Sequence, residues 1–255
     1  MFDNGLGDKF ILDSGTLIGS YRHHDIVPWD DDLDVLVDVT VRSKVQTLLE
    51  QLSPIYQLTK QKSRDKFYTV TTPMFDTDSS DLLVSRRVSE FPWGWPYLDI
   101  GYYQQNNTHV WEIAPSYGIK HEWSIDLFLP LRLRPFGDEW YPVPYRTAEF
   151  LRVAYGSDNT CVHSGYSHVL EGGGPSGTQN CTDLSTRYAF VEHRLVPHTN
   201  YRVITSSSLT DSFVLGEERL VLRDVVGNTH VIHTLQMPVL ESETRSETYG
   251  LGERK

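Results

Sequence analysis

Trp29-Asp30-Asp31-Asp32-Leu33-Asp34-Val35-Leu36-Val37-Asp38-Val39 is the stretch that decides the fold. Pro28 stands just before it and rules out continued helix. Leu33 to Val39 is mostly apolar and branched, which suits a strand covered on both faces except at its start. Side chains two apart on a strand share a face, so Asp32 and Asp34 project together while Leu33 and Val35 enter the layer behind. Two such carboxylates can grip paired Mg²⁺ ions ~3.5–4 Å apart, the arrangement used for in-line displacement at phosphorus. An isolated Asp-x-Asp is more often a solvated turn or a Ca²⁺ loop; here the acids open a buried strand instead.

Upstream, Phe10-Ile11-Leu12 reads as a strand and Asp13-Ser14-Gly15-Thr16-Leu17-Ile18-Gly19-Ser20 as the start of a helix. Such a helix would aim its free N–H groups and positive dipole end at a phosphate over the acids. Gly15, Thr16, Gly19 and Ser20 are therefore candidate donor-phosphate residues. Arg22 either neutralises a diphosphate through a bidentate fork or pairs with Asp30 or Asp31, and both readings stand. For His23 and His24, zinc partners at ligand spacing are lacking, and ordinary polar packing is the expectation.

Downstream, Val41, Val45, Leu48, Leu49 and Leu52 recur at helical spacing until Pro54. Tyr97 to Tyr103 reads as a strand, with His109 to Ile113 as its hairpin partner. Asp99, a lone acid between Leu98 and Ile100, is the candidate third carboxylate, because an unpaired charge there would be expensive. Asp126, with similar flanks, is its rival. Ala148 to Tyr155 reads as a helix closed by Gly156. The Gly-, Ser- and His-rich run from Cys161 to Asp183 reads as a surface loop, since Gly172-Gly173-Gly174 lacks the Lys-Ser/Thr ending of a P-loop. Arg219 to Asp224 and His230 to Gln236 read as strands around a Gly227-Asn228 turn, and residues 243–255 as a solvated tail.

The 255 residues suffice for one large domain. With 23 basic against 34 acidic side chains and a net charge of −11, most of the surface would repel nucleic acid. A small anionic donor remains compatible, because bound divalent ions reverse the field locally. No stretch approaches the ~20 apolar residues of a membrane span. The short lead of residues 1–9 leaves no room for a helix bracing the first strand, so the expectation is either a truncated start or a domain whose anchor lies upstream. Cys161, Cys181 and the sequons at Asn106 and Asn180 lean toward a secretory lumen, Golgi or ER, with a cytoplasmic setting still open; the sequence leaves the disulfide open.

Gly15-Thr16-Leu17-Ile18-Gly19-Ser20-Tyr21-Arg22-His23, followed by Ile26-Val27-Pro28-Trp29-Asp30-Asp31-Asp32-Leu33-Asp34, resembles the LicD family, which includes bacterial phosphocholine transferases, fukutin and fukutin-related protein. Phe91-Pro92-Trp93-Gly94-Trp95-Pro96-Tyr97-Leu98-Asp99-Ile100 looks like the stretch of fukutin that carries its next acid. Pro142 through Tyr155-Gly156 looks like the family's closing proline, helix and Tyr-Gly. The resemblance spans residues 10–156. It implies an α+β, nucleotidyltransferase-like mixed sheet with covering helices, transferring a phospho-alcohol from a CDP-activated donor to a sugar hydroxyl of a glycan or glycoprotein.

By the same resemblance, Asp32 and Asp34 bind Mg²⁺ or Mn²⁺, and Asp99 completes the metal set, orients the acceptor and takes its proton. Asp30 and Asp31 would tune the site from one step back. The chain departs from relatives in lacking their N-terminal helix and anchor, and the Cys cluster of the zinc site in fukutin-related protein. Residues 157–255 match nothing in the family, and 157–242 read as a loop-rich, then β-rich extension packed on the same domain. Two other classes stay open: nucleotidyl transfer to a small acceptor, and a non-catalytic lumenal glycan-binding module. Loss of an acid from the trio would mark the second, and none is lost.

Overall fold

The computed structural model describes residues 1–69, 91–114, 120–156, 160–196 and 212–245. Strand β1 (Phe10–Leu12) leads into helix α1 (Ser14–Arg22) and strand β2 (Leu33–Asp38), followed by α2 (Arg42–Glu50). Strands β3 (Tyr56–Thr59), β4 (Asp65–Thr69), β5 (Tyr97–Gln105), β6 (His109–Glu112) and β7 (Glu122–Ser124) complete one sheet. Its order is β1-β2-β5-β4-β3, with β6 beside the end of β5 and β7 beside β6. Only β2 and β5 run parallel in it; the other pairs are antiparallel among the described residues. The fold is thus α+β with a mixed sheet, as expected. A parallel pair needs a long crossover, and α2 with the β3–β4 hairpin supplies it.

Alternation along β2 feeds two cores. Leu36 joins Ile11, Leu17, Tyr103, Phe128 and Phe150, which packs α1, α3 (Ile125–Phe128) and α4 (Thr147–Tyr155) on one face. Val37 joins Phe10, Val45, Ile100 and Tyr102, which packs α2 on the other. Full burial of each such side chain contributes about 1.5–3 kcal/mol, so inward-facing residues fix the strand register. Asp32 and Asp34 share parity with Leu36 and therefore lie on the face that α1 covers. Residues 1–9 do brace β1, contrary to expectation: Phe2–Asn4 forms a 3₁₀ turn, and Leu6 is buried beside Phe10.

Strands β8 (Arg132–Phe136) and β9 (Glu139–Val143) form a hairpin before α4, which Gly156 ends at φ 82°. The run after Cys161 is not a loop. Strands β10 (Thr160–Ser167) and β11 (Gly172–Asn180) pair antiparallel, and Cys161 and Cys181 close a disulfide at the base. Both strands are largely exposed, so they need no apolar alternation and carried no strand pattern in sequence.

Strands β12 (Phe190–Leu195), β13 (Phe213–Arg223) and β14 (Thr229–Leu240) form a third sheet, longer than the two short strands expected. It packs directly on the first unit: the Tyr21 and His193 rings stack at 4.4 Å, and Phe213 and Leu240 bury against Tyr145. Residues 243–245, expected to open a solvated tail, form a 3₁₀ turn instead. Glu243 is buried, accepts the Ala148 N–H at 3.2 Å in the first turn of α4, and pairs with Arg132. A carboxylate at a helix start is favoured by the dipole and by unpaired N–H groups. Residues 246–255 lie outside the described residues.

Candidate metal and phosphate site

In the parallel pair, Asp34 stands directly opposite Asp99, and across the next strand Lys66 stands opposite Asp99 in turn. Asp34, Asp99 and Lys66 therefore form one row over β2, β5 and β4. Asp32 enters from the residue before β2. One carboxylate oxygen from each of Asp32, Asp34 and Asp99 lies within 4.8 Å of the others. The rival Asp126 is exposed in α3 and takes no part in this cluster.

The trio is buried, with Asp32 at 5%, Asp34 at 9% and Asp99 at 8% exposure. Burial pushes Asp32 up to about 7, with Asp30 and Asp99 adding to the rise and His168 opposing it. Burial, reinforced by Asp32, also holds Asp34 well above the usual carboxylate range. Asp32 Oδ2 and Asp99 Oδ1 are buried and meet no hydrogen-bond partner among the described residues. Orphaned, partly charged oxygens converging from two strands are costly unless a cation satisfies them. Oxygen-only ligands suit a hard divalent ion such as Mg²⁺ or Mn²⁺, so the residues fit the metal that the sequence implied.

Cations absent from the expectation stand beside these acids. Arg64 donates to Asp34 at 3.2 Å, Asp13 at 3.2 Å and Glu112 at 3.0 Å. Lys66 Nζ donates to Asp99 Oδ2 at 2.9 Å and lies 4.1 Å from the centre of the Tyr97 ring. Neither was singled out from sequence, because the 60–69 stretch carries no motif and Lys66 reaches Asp99 only through the β4–β5 register. The strand alternation that points Asp65 at Tyr102 and Arg42 on the opposite face was the one available signal.

The glycine-rich start of α1 divides in two. Thr16 Oγ1 accepts the Asp34 backbone N–H at 2.7 Å, and Gly15 lies so near Asp30 that a Cβ would fall 2.0 Å from its Oδ2. These two residues adjoin the acids. Gly19, Ser20 and Arg22 are not brought to a phosphate seat. A Cβ on Gly19 would meet the Asp25 carbonyl oxygen at 2.3 Å, so this glycine admits the following loop. The Ser20 hydroxyl is fully buried and donates to the Pro135 carbonyl at 2.8 Å. Arg22, the last residue of α1, donates to the Thr160 carbonyl at 3.0 Å.

Asp31 reaches the tip of the β10–β11 hairpin, and one ligand atom from each of Asp30, Asp31, Asp32 and His168 lies within 4.8 Å of the others, a second cluster that shares Asp32 with the trio. Asp31 accepts the His168 ring at 2.7 Å, the His168 N–H at 3.0 Å and the Ser167 hydroxyl at 3.2 Å. Although burial works against it, these donors hold Asp31 below the usual carboxylate range. Asp30 belongs to the same second cluster and is raised by burial.

Residues 7–146, more than half of the chain, match the family described as "LicD/FKTN/FKRP, nucleotidyltransferase domain". The chain belongs to the LicD family. Membership implies transferase chemistry of the phosphocholine or phospho-sugar kind, with a nucleotide-activated donor and a glycan acceptor in general. The match ends just before α4, so α4, the β10–β11 hairpin and the third sheet lie outside the matched region. No curated protein matches this LicD chain. Among solved structures, it is similar to the crystal structure of the lincosamide antibiotic adenylyltransferase LnuA bound to lincomycin, at 17% identity and a TM-score of 0.32. That likeness covers 63% of this chain and 80% of that one. No helix among the described residues is long and apolar enough to cross a membrane.

Proposed function

We propose that this LicD protein transfers a phospho-alcohol, of the phosphocholine or ribitol phosphate kind, from a CDP-activated donor to a sugar hydroxyl of a glycan or glycoprotein. The observation that carries the reading is the convergence of Asp32, Asp34 and Asp99 with two buried, unpartnered oxygens. These three residues would hold Mg²⁺ or Mn²⁺, which when bound supplies Lewis acidity toward the donor phosphate. Arg64 and Lys66, beside the acids, take over the counter-charge role first read for Arg22. Thr16 fixes the acid strand to α1, and Gly15 leaves room for Asp30 to lie close. Lys66 holds Asp99 Oδ2, so Asp99 would present Oδ1 to the ion and in that position orient the attacking hydroxyl.

The Cys161–Cys181 disulfide supports an oxidising setting, the lumen of the secretory pathway. Both sequon asparagines, Asn106 and Asn180, are exposed, which suits the same setting.

The test is Mn²⁺-dependent release of CDP from CDP-choline and CDP-ribitol. Asp32→Asn and Asp34→Asn should each abolish release while circular dichroism stays unchanged; turnover by either variant would remove the reading. A label on the alcohol phosphate should appear in the product, whereas a label on the cytidine appearing there would replace it with nucleotidyl transfer.

A further inference from the structure

The β10–β11 hairpin lies outside the matched family region, yet it spans the segment that carries the acids from end to end. At its base, the Cys161–Cys181 disulfide closes the ladder, Arg22 donates to the Thr160 carbonyl, and Trp29 Nε1 donates to the Val162 carbonyl at 3.2 Å. At its tip, three groups of Ser167 and His168 bind Asp31. The hairpin buries little apolar surface, so polar clamps at its two ends, rather than core packing, hold it in place.

Two tip residues go further than clamping. His168 Nδ1 lies 2.7 Å from Asp31 Oδ1 and 3.3 Å from Asp32 Oδ1, so one ring nitrogen addresses two successive acids. The ring is itself held edge-on by Tyr97 and Tyr166. Glu171 accepts hydrogen bonds from Trp93 at 2.8 Å, Tyr97 at 2.6 Å and Tyr166 at 2.5 Å, and lies 4.0 Å from Lys66 Nζ. Lys66 rests on the faces of Tyr97 and Trp93 while it binds Asp99. Glu171 thus shares the ammonium charge that would otherwise lean wholly on Asp99.

We propose that the disulfide-tied hairpin completes the metal site, with His168 as the positioning residue for Asp32 and Glu171 as the positioning residue, through Lys66, for Asp99. The inference rests on the reading of Asp32, Asp34 and Asp99 as metal ligands. Groups that hydrogen-bond ligating carboxylates set their orientation, and losing one weakens metal binding about ten- to a hundredfold.

The experiment titrates Mn²⁺ alone into the intact protein by calorimetry, for wild type, His168→Ala, His168→Asn and Glu171→Gln, with circular dichroism on each. His168→Ala and Glu171→Gln should each bind about ten- to a hundredfold more weakly. His168→Asn, whose amide nitrogen falls where Nδ1 stood, should recover most of the affinity, which a merely bulky filler would not. Cleaving the disulfide of the wild-type protein with a water-soluble phosphine should weaken Mn²⁺ binding to a similar degree, and this arm keeps the test decisive if His168→Ala does not fold. Wild-type affinity in Glu171→Gln and in the reduced protein overturns the inference and leaves the metal reading standing. Failure of the wild type itself to bind Mn²⁺ overturns both.

Discussion

The Asp34 backbone N–H donates to the Thr16 hydroxyl at 2.7 Å, so the first turn of α1 and the acid strand are joined at the residue that carries the second carboxylate. Thr16→Val keeps the shape and deletes the acceptor, leaving a buried N–H unpaired at a cost of about 1–3 kcal/mol. Thr16→Ser should retain most of the stability. Urea titration measures the difference, and Mn²⁺-dependent turnover should fall in the valine variant alone.

Gly15 and Gly19 should fail in different ways when changed to alanine. The Cβ at position 15 meets a carboxylate that can turn aside, so the domain should stay folded while displaced Asp30 lowers turnover. At position 19 the obstacle is backbone at Asp25 and Val27, which cannot yield without moving the loop. Overpacking of that kind costs about 1–3 kcal/mol. Thermal melts set beside activity for the two variants separate the cases.

His23 gives the fold an acid-sensitive term. Burial lowers its pKa from 6.5 to about 4, although its ring donates to the Ala189 carbonyl at 2.7 Å. Between those values the unfolded chain binds the proton and the folded chain does not, so stability is lost as pH falls from 6.5 to about 4. The shift corresponds to about 3 kcal/mol. His23→Asn keeps a donor for Ala189 and cannot titrate, so its stability profile should be flatter across that window.

Glu218 ties the third sheet to the family domain. It is fully buried, and it accepts from Arg134 at 2.7 and 2.9 Å, His24 at 2.8 Å and His193 at 3.1 Å. Arg134 first, then the two histidines, hold its carboxyl well below the usual range against the opposing effect of burial. Glu218→Gln strips Arg134 of this counter-charge and should cost about 3–5 kcal/mol in chemical denaturation. A cost below 1 kcal/mol would show that the third sheet docks by its apolar contacts alone.

How much of this was readable beforehand depends on where each signal lives. The acid strand, α2 and α4 follow from apolar periodicity and from proline and glycine boundaries, which are local properties. Asp99 was separable from Asp126 only through the register that sets it opposite Asp34. Arg64, Lys66, His168 and Glu171 carried no local mark, because their partners are defined by strand pairing and by a hairpin with two exposed faces. Ser20, Gly19 and Arg22 misled for the complementary reason. They lie close to the acids in sequence, but a helix turns successive residues to different sides, and those three face β8, a loop and β10.

The parallel pairing of β2 with β5 also orders events in time. Positions 34 and 99 meet only after the intervening crossover has closed on itself, a non-local step whose entropic cost comes before any contact repays it. A nascent chain extended only through β4 carries Asp32 and Asp34 but not Asp99, and so lacks the third carboxylate of the trio. The complete trio therefore exists only in molecules in which the central strand β5 has already zipped into place, and an ion held by all three carboxylates would select and hold those molecules.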